Sequence, residues 1–288
     1  MDRFEAKNII TNAVERLPSL PDVVNNILSL VEDEKTSIRD LGNVVSHDYA
    51  ISSQLLKVVN SAFYGLKERV STVQRAAFIL GFKEIKSLVM AVAAFKTLDE
   101  AKKDTSLNRE ELWLHSLQCS LAGQIISKKV GGVNPETGLT ASLLHDIGKM
   151  VLDCFFTSEY ARVLEEASLN GLSLFEVEDA LLGFNHADAG GWLCEHWDFP
   201  PILVFPISFH HQVGCSGEYN RITWVVHLTD ILCRYLEIGN ERKNKLCTAL
   251  HSAQKHLNLQ NNDLDKIIEQ FKQEEEKVKS FISSIKQP

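Results

Sequence analysis

The sequence predicts an all-α fold, and three features predict it. Apolar residues recur at spacings of three and four through most segments, helix-start and helix-stop residues fall between those segments, and no alternating apolar and polar run of strand length stands out. At 288 residues, 44% hydrophobic and 24% charged, the chain has the composition of an ordinary globular protein with a sizeable core. A net charge of −8 without a Lys/Arg-rich run argues against a nucleic-acid partner. No apolar run approaches the roughly 20 residues needed to cross a bilayer, and the first residues lack the apolar segment of a signal peptide, so a cytoplasmic location is expected. The six cysteines never form Cys-x-x-Cys and mostly have apolar neighbours, which reads as reduced thiols in a core.

Taken in order, the elements justify the class. Pro18 and Pro21 interrupt the first helix, after which Val23, Val24, Ile27, Leu28 and Val31 recur at helical spacing. Ser37 with Asp40 has the form of a capping box. Helices are predicted over 50–63 and 72–80, with Gly81 placed for a left-handed C-terminal cap. The run 82–98 is apolar on most sides, the mark of a central helix. Asn108 with Glu111 opens the next helix, and Asn134-Pro135 launches one that delivers His145-Asp146 and breaks at Gly148. A helix over 158–169 ends at Gly171, Ser173 with Glu176 forms another capping box, and Gly183 closes that helix just before His186. Pro206 predicts a kink or break within 202–210, and 221–236 is the last strongly apolar helix. From Asn262 onward a charged helix carries one apolar face. These elements group into an N-terminal helical half, 1–103, a second helical half, 104–240, and a C-terminal extension, 241–288. The apolar content of the first half and the lack of a flexible connection predict that the two halves form a continuous unit.

The chemistry concentrates in the second half. His145 and Asp146 place two metal-ligand types at one helix end, and His115, His186, His210, His211 and Asp230 lie inside or beside other apolar segments. Each has an ordinary explanation by itself. His145 at a helix C-terminus complements the helix dipole, His115 could be a hydrogen-bonded packing residue, and His210-His211 could be exposed beside a glycine loop. His47-Asp48 shows that an adjacent His-Asp pair also arises elsewhere in the chain. Asp230 among Val225, Val226, Leu228, Ile231 and Leu232 needs a partner if buried. Glu111, one turn before His115, is an optional extra ligand that its capping position already explains. Lys149 would contact a phosphate or simply be solvated. One pocket between helices would account for the whole set at once.

In chain order, these residues resemble the ligand series of the HD superfamily of metal-dependent phosphohydrolases. The flanking stretches resemble one branch of it, the HDOD (HD-related output domain) family. They are Leu17-Pro18-Ser19-Leu20-Pro21, Asn60-Ser61-Ala62-Phe63-Tyr64, the run from Ser71 to Gly81, Leu144-His145-Asp146-Ile147-Gly148-Lys149, His186-Ala187-Asp188-Ala189-Gly190 and Trp197-Asp198-Phe199-Pro200. The resemblance spans residues 10–240 and implies an HD-like helical bundle with an additional N-terminal helical half. It also implies one or two divalent transition ions (Fe, Mn, Zn or Ni) held by His115, His145, Asp146, His186, His210, His211 and Asp230. For function it implies a bacterial signal-output or scaffold module, non-catalytic, with other signalling proteins as partners. The alternative is a phosphohydrolase or phosphodiesterase acting on a nucleotide, with Asp146 and Lys149 in catalysis. The branch that hydrolyses cyclic di-GMP continues its His-His pair into an acidic residue and a Gly-Tyr-Pro stretch. This chain reads Gln212-Val213-Gly214-Cys215 instead, which counts against that reaction.

Overall fold

The computed structural model describes residues 3–14, 38–46, 48–60, 69–101, 106–237 and 243–285, and every regular element among them is helical. In chain order these are α1 (Arg3–Val14), α2 (Ile38–Ser46), α3 (Tyr49–Val59), α4 (Val73–Leu80) and α5 (Phe82–Ala101). Next come α6 (Arg109–Val130), α7 (Pro135–Leu144), α8 (Gly148–Phe155), α9 (Thr157–Asn170) and α10 (Leu174–Leu182). Last are α11 (His186–His196), α12 (Pro201–Phe209), a 3-10 turn at Gly217–Tyr219, α13 (Asn220–Glu237), α14 (Lys243–Leu257) and α15 (Asn261–Ile285). No described helix is long and apolar enough to cross a membrane. The Pro18–Pro21 interruption, the helix expected after it, Ser37 of the first capping box, His47 and residues 61–64 lie outside the described residues.

The chain divides into two compact units, one of Met1–Pro18 with Leu98–Leu264 and one of Ser19–Thr97 with Asp265–Pro288. In the second of these, α2 packs on α3 and α4. Asp48 caps α3 by accepting from the Ile51 N–H at 3.0 Å, so the second His-Asp pair of the sequence ends in a capping residue. The Asn60 side chain clasps Val70 through both its carbonyl and its amide, each at 2.6 Å, fixing the chain where α3 ends. Gly81 has a positive φ of 88° but a ψ of 161°, so it turns the chain directly into α5 rather than forming the left-handed cap expected. In α5 the run Leu88–Ala94 is buried throughout, as its all-round apolar sequence requires.

In the unit that holds the histidines, α6, α7, α8, α11, α12 and α13 pack against one another. Asn108 and Asn134 cap α6 and α7 as expected, accepting from Glu111 N–H at 3.2 Å and Glu136 N–H at 2.9 Å. Ser173, by contrast, makes no side-chain cap bond, and the capping box sits at Asn185 and Asp188 ahead of α11. The helix α12 runs through Pro206 without a break. In so short a helix the proline removes one bond, to the carbonyl of Ile202 in the exposed first turn.

Gly148 does not break the chain but opens α8, after a single turn at residues 145–147. A Cβ there would stand 1.9 Å from the His186 carbonyl oxygen and 2.5 Å from the Gly190 nitrogen, so glycine is needed because α8 and α11 cross with their backbones nearly touching. The crossing of α6 and α7 is also close, since a Cβ on Gly123 would lie 2.7 Å from the Gly138 carbonyl oxygen. Gly148→Ala should therefore lower stability by more than about 2 kcal/mol, because backbone atoms cannot move aside as a side chain would. Urea denaturation measures this, and an unchanged midpoint would mean that α8 and α11 do not meet at this separation.

Candidate metal centre

Five elements aim side chains at one point. His115 projects from α6, His145 and Asp146 follow α7, His186 opens α11, His210 and His211 follow α12, and Asp230 lies within α13. Two of the histidines are set by the same local device. His145 Nδ1 donates to the Ser142 carbonyl and His210 Nδ1 to the Ile207 carbonyl, both at 2.7 Å and both three residues back. Each ring thereby satisfies a carbonyl that its own helix end leaves without an intrahelical partner. A carbonyl oxygen can only accept, so the proton is on Nδ1 and a neutral ring presents a bare Nε2 lone pair to the centre. His227 Nδ1 in turn donates to the His210 carbonyl at 2.7 Å.

What those nitrogens face is carboxylate. His145 Nε2 lies 3.4 Å from Asp146 Oδ2 and 3.5 Å from Asp230 Oδ1, and His115 Nε2 lies 3.6 and 3.3 Å from the same two atoms. On the other side of Asp146, Oδ1 is 3.2 Å from His186 Nε2 and 3.9 Å from His210 Nε2. His211 Nε2 completes that side, 2.9 Å from His186 Nε2. His145, Asp146, His186 and His210 are fully buried, yet His145 Nε2, His210 Nε2 and Asp146 Oδ1 have no hydrogen-bond partner. Buried acceptors turned toward one another repel unless a cation lies among them.

The donors sort into His115, His145, Asp146 and Asp230 on one side and His186, His210 and His211 on the other, with the Asp146 carboxylate between them. A tetrahedral ion with imidazole and carboxylate ligands has donor-to-donor edges of roughly 3.3–3.5 Å. The four nitrogen-to-oxygen distances on the first side, 3.3 to 3.6 Å, fit that size. The residues on the first side thus suit a divalent ion, while His186, His210 and His211 form a second group of close donors; such an ion, when bound, supplies Lewis-acid charge and can lower the pKa of a bound water. The structure brings all seven candidate ligands together.

Several neighbours shape this centre, and two of them, Glu178 and Arg234, have no motif to announce them. Glu178 on α10 is buried and accepts from the His186 N–H at 2.8 Å, from His186 Nδ1 at 2.5 Å and from the Tyr160 hydroxyl at 3.1 Å. It fixes the His186 ring so that Nε2 points inward, as carboxylates do behind metal-binding histidines. Lys149, buried rather than solvated, reaches Asp146 Oδ2 at 2.5 Å, and Arg234 Nε holds Asp230 Oδ1 at 2.7 Å. The spacing of Asp230 and Arg234 on one helix was the available signal for that pair. Glu111, the optional ligand, is exposed in the first turn of α6.

The electrostatics follow from these contacts. Burial pushes the Asp146 carboxyl up, but the positive charge of His145 when its ring is doubly protonated, of Lys149 and of His186 outweighs it and holds the group well below the usual carboxylate range. Burial acts the same way on Asp230, where Arg234, His115 and His145 prevail and keep it low. Burial, with neighbouring histidines, lowers the pKa of His210 and His211 well below the ordinary value, which favours their neutral, ligand-competent forms.

Residues 17–213 match the HDOD domain family. The chain belongs to the HDOD family. An uncharacterized protein of Treponema pallidum is 23% identical over 234 residues, covering 79% of this chain and 44% of its own length. The Bacillus subtilis protein YuxH is 24% identical over 157 residues, 54% of this chain and 35% of its own. This HDOD chain thus spans less than half the length of either curated relative. Among solved structures, an HDOD domain protein of unknown function from Geobacter sulfurreducens superposes with a TM-score of 0.76 at 20% identity, covering 96% of this chain and 99% of that one. A Shewanella amazonensis protein provisionally assigned as a phosphohydrolase gives 0.75 at 21% identity, covering 95% and 97%. These likenesses establish the helical HDOD fold, to which Asp230, Arg234 and all of α13 contribute beyond the matched span.

Glu178→Gln removes the charge that orients His186, and it should weaken metal binding at the His186 side by about tenfold to a hundredfold. Competition with a chromophoric chelator reads this directly. Unchanged affinity would show that His186 is held without Glu178 or is not a ligand.

Proposed function

We propose that this HDOD chain is a bacterial signal-output or scaffold module whose His/Asp centre binds one or two divalent transition ions for structure or sensing rather than for turnover. One observation supports this reading above others: the donors form nearly closed sets in buried surroundings. Structural ion sites use four protein ligands, whereas hydrolytic sites keep a position open to water and substrate. Here His115, His145 and Asp230 join Asp146 in a set of four donors on one side, and His186, His210 and His211 gather with Asp146 on the other. His145, Asp146, His186 and His210 have no exposed surface. The segment after His211, where a phosphodiesterase needs groups to orient its substrate, offers Gln212, Gly214 and Cys215 pointing outward. Its partners in this reading are other signalling proteins.

The hydrolase reading keeps one specific support, the Lys149 ammonium on the Asp146 carboxylate among the candidate ligands. The Shewanella protein's provisional assignment belongs to that protein and shares only the fold at this identity. A direct experiment separates the two. Metal-replete chain is incubated with cyclic di-GMP, other cyclic nucleotides and nucleoside monophosphates, with Asp146→Ala as control. The expected outcome is no turnover, together with a rise in melting temperature on metal addition that Asp146→Ala abolishes. An ion present at 100 times its Kd adds about 2.7 kcal/mol of stability. Turnover at about 1 per second or faster that vanishes in Asp146→Ala would replace this reading with the hydrolase.

A further inference from the structure

The His115–His145 pair has a second possible companion besides the carboxylates. Cys119 lies one helical turn after His115 on α6, so both side chains emerge on the same face. Its Sγ is 3.4 Å from His115 Nε2, and Cys119, His115 and His145 have donor atoms all within 4.8 Å of one another. A tetrahedral ion bound by one thiolate and one imidazole has a sulfur-to-nitrogen edge of roughly 3.5 Å. The third donor, His145 Nε2, is fully buried and without a hydrogen-bond partner.

The charge distribution favours this side. Asp146 Oδ2 already carries Lys149 Nζ and Asp230 Oδ1 already carries Arg234 Nε, so both carboxylate oxygens nearest to His115 and His145 are in contact with a permanent cation. Each such contact reduces the negative charge that an incoming dication would meet. A thiolate restores it. Cys119 is fully buried, as a packing cysteine would be, but its sulfur lies against the His115 ring and within 4.8 Å of a donor nitrogen of His145, where a ligand would lie.

We propose that Cys119 is a sulfur ligand, with His115 and His145, to a thiophilic transition ion such as Zn(II), Co(II) or Fe(II), and that this donor selects against Mg(II) and Mn(II). The assignment rests on the metal-binding reading above and adds to it the identity of one donor and the class of ion. On binding, the thiol proton leaves to solvent and the sulfur electron pair forms the bond to the ion, with no change of oxidation state. Hard oxygen-seeking ions gain little from sulfur, whereas the borderline ions gain a strong bond.

Cobalt makes the test optical. The full chain loaded with Co(II) should show ligand-field bands in the visible and a thiolate-to-cobalt charge-transfer band in the near ultraviolet. The latter should be lost in Cys119→Ser and kept in Cys233→Ser, whose side chain neighbours Cys119. Ligand-field bands without charge transfer would overturn the sulfur donor and leave a histidine and carboxylate centre standing. Failure to bind cobalt at all would overturn both readings. A charge-transfer band that survives Cys119→Ser and disappears in Cys233→Ser would assign the wrong sulfur and overturn the proposal. Should Cys119→Ser fail to fold, zinc X-ray absorption of the wild-type chain decides, since a sulfur scatterer at about 2.3 Å is required and its absence is contradictory.

Discussion

The arrangement depends on one constraint, the burial of Asp146 between opposed imidazole nitrogens. Its carboxylate has no surface exposed to bulk solvent, and its neighbours either supply positive charge or offer another lone pair. Lys149 supplies charge to Oδ2, while His210 offers a lone pair toward Oδ1. The helices are placed to hold these groups at ligand distances. The glycine crossings of α6 with α7 and of α8 with α11 draw the backbones close enough for His115, His145 and His186 to share one carboxylate.

Positioning is done largely by the helix ends. His145 and His210 each fold back on a carbonyl of the last turn, which fixes both ring orientation and tautomer without a separate side-chain partner. His186 instead begins its helix, and the charge behind it comes from Glu178, itself fixed by Tyr160. These three solutions hold the imidazoles from behind, so that ring orientation is fixed by the fold.

Much of this was legible in the sequence, for a physical reason. Ligand residues stand out when they interrupt an apolar periodic run, and His145-Asp146 and Asp230 do so; the chain order of the set then pointed to the family. Helix caps at Asn108 and Asn134 were legible because their chemistry is local. Glu178 and Arg234 were not singled out, since a lone acid or base on an amphipathic helix looks solvated until its partner is located. Gly148 was misread as a breaker because the atom that excludes a side chain there, the His186 carbonyl oxygen, is remote in sequence. Pro206 was overweighted, since a proline in a short helix interrupts very little. Cys119 looked like packing because its distance from His115 Nε2 is a tertiary fact.

The central claim is that a metal ion, rather than protons together with Lys149 and Arg234, balances the buried carboxylates. Anomalous diffraction from crystals grown with the as-purified ion, collected on either side of its absorption edge, tests it most directly. The account predicts a peak among His115, His145 and the neighbouring donors, at full occupancy, with a second beside His186, His210 and His211 if both faces of Asp146 are used. Maps with no peak at either position, in protein shown to be folded and metal-exposed, would contradict it.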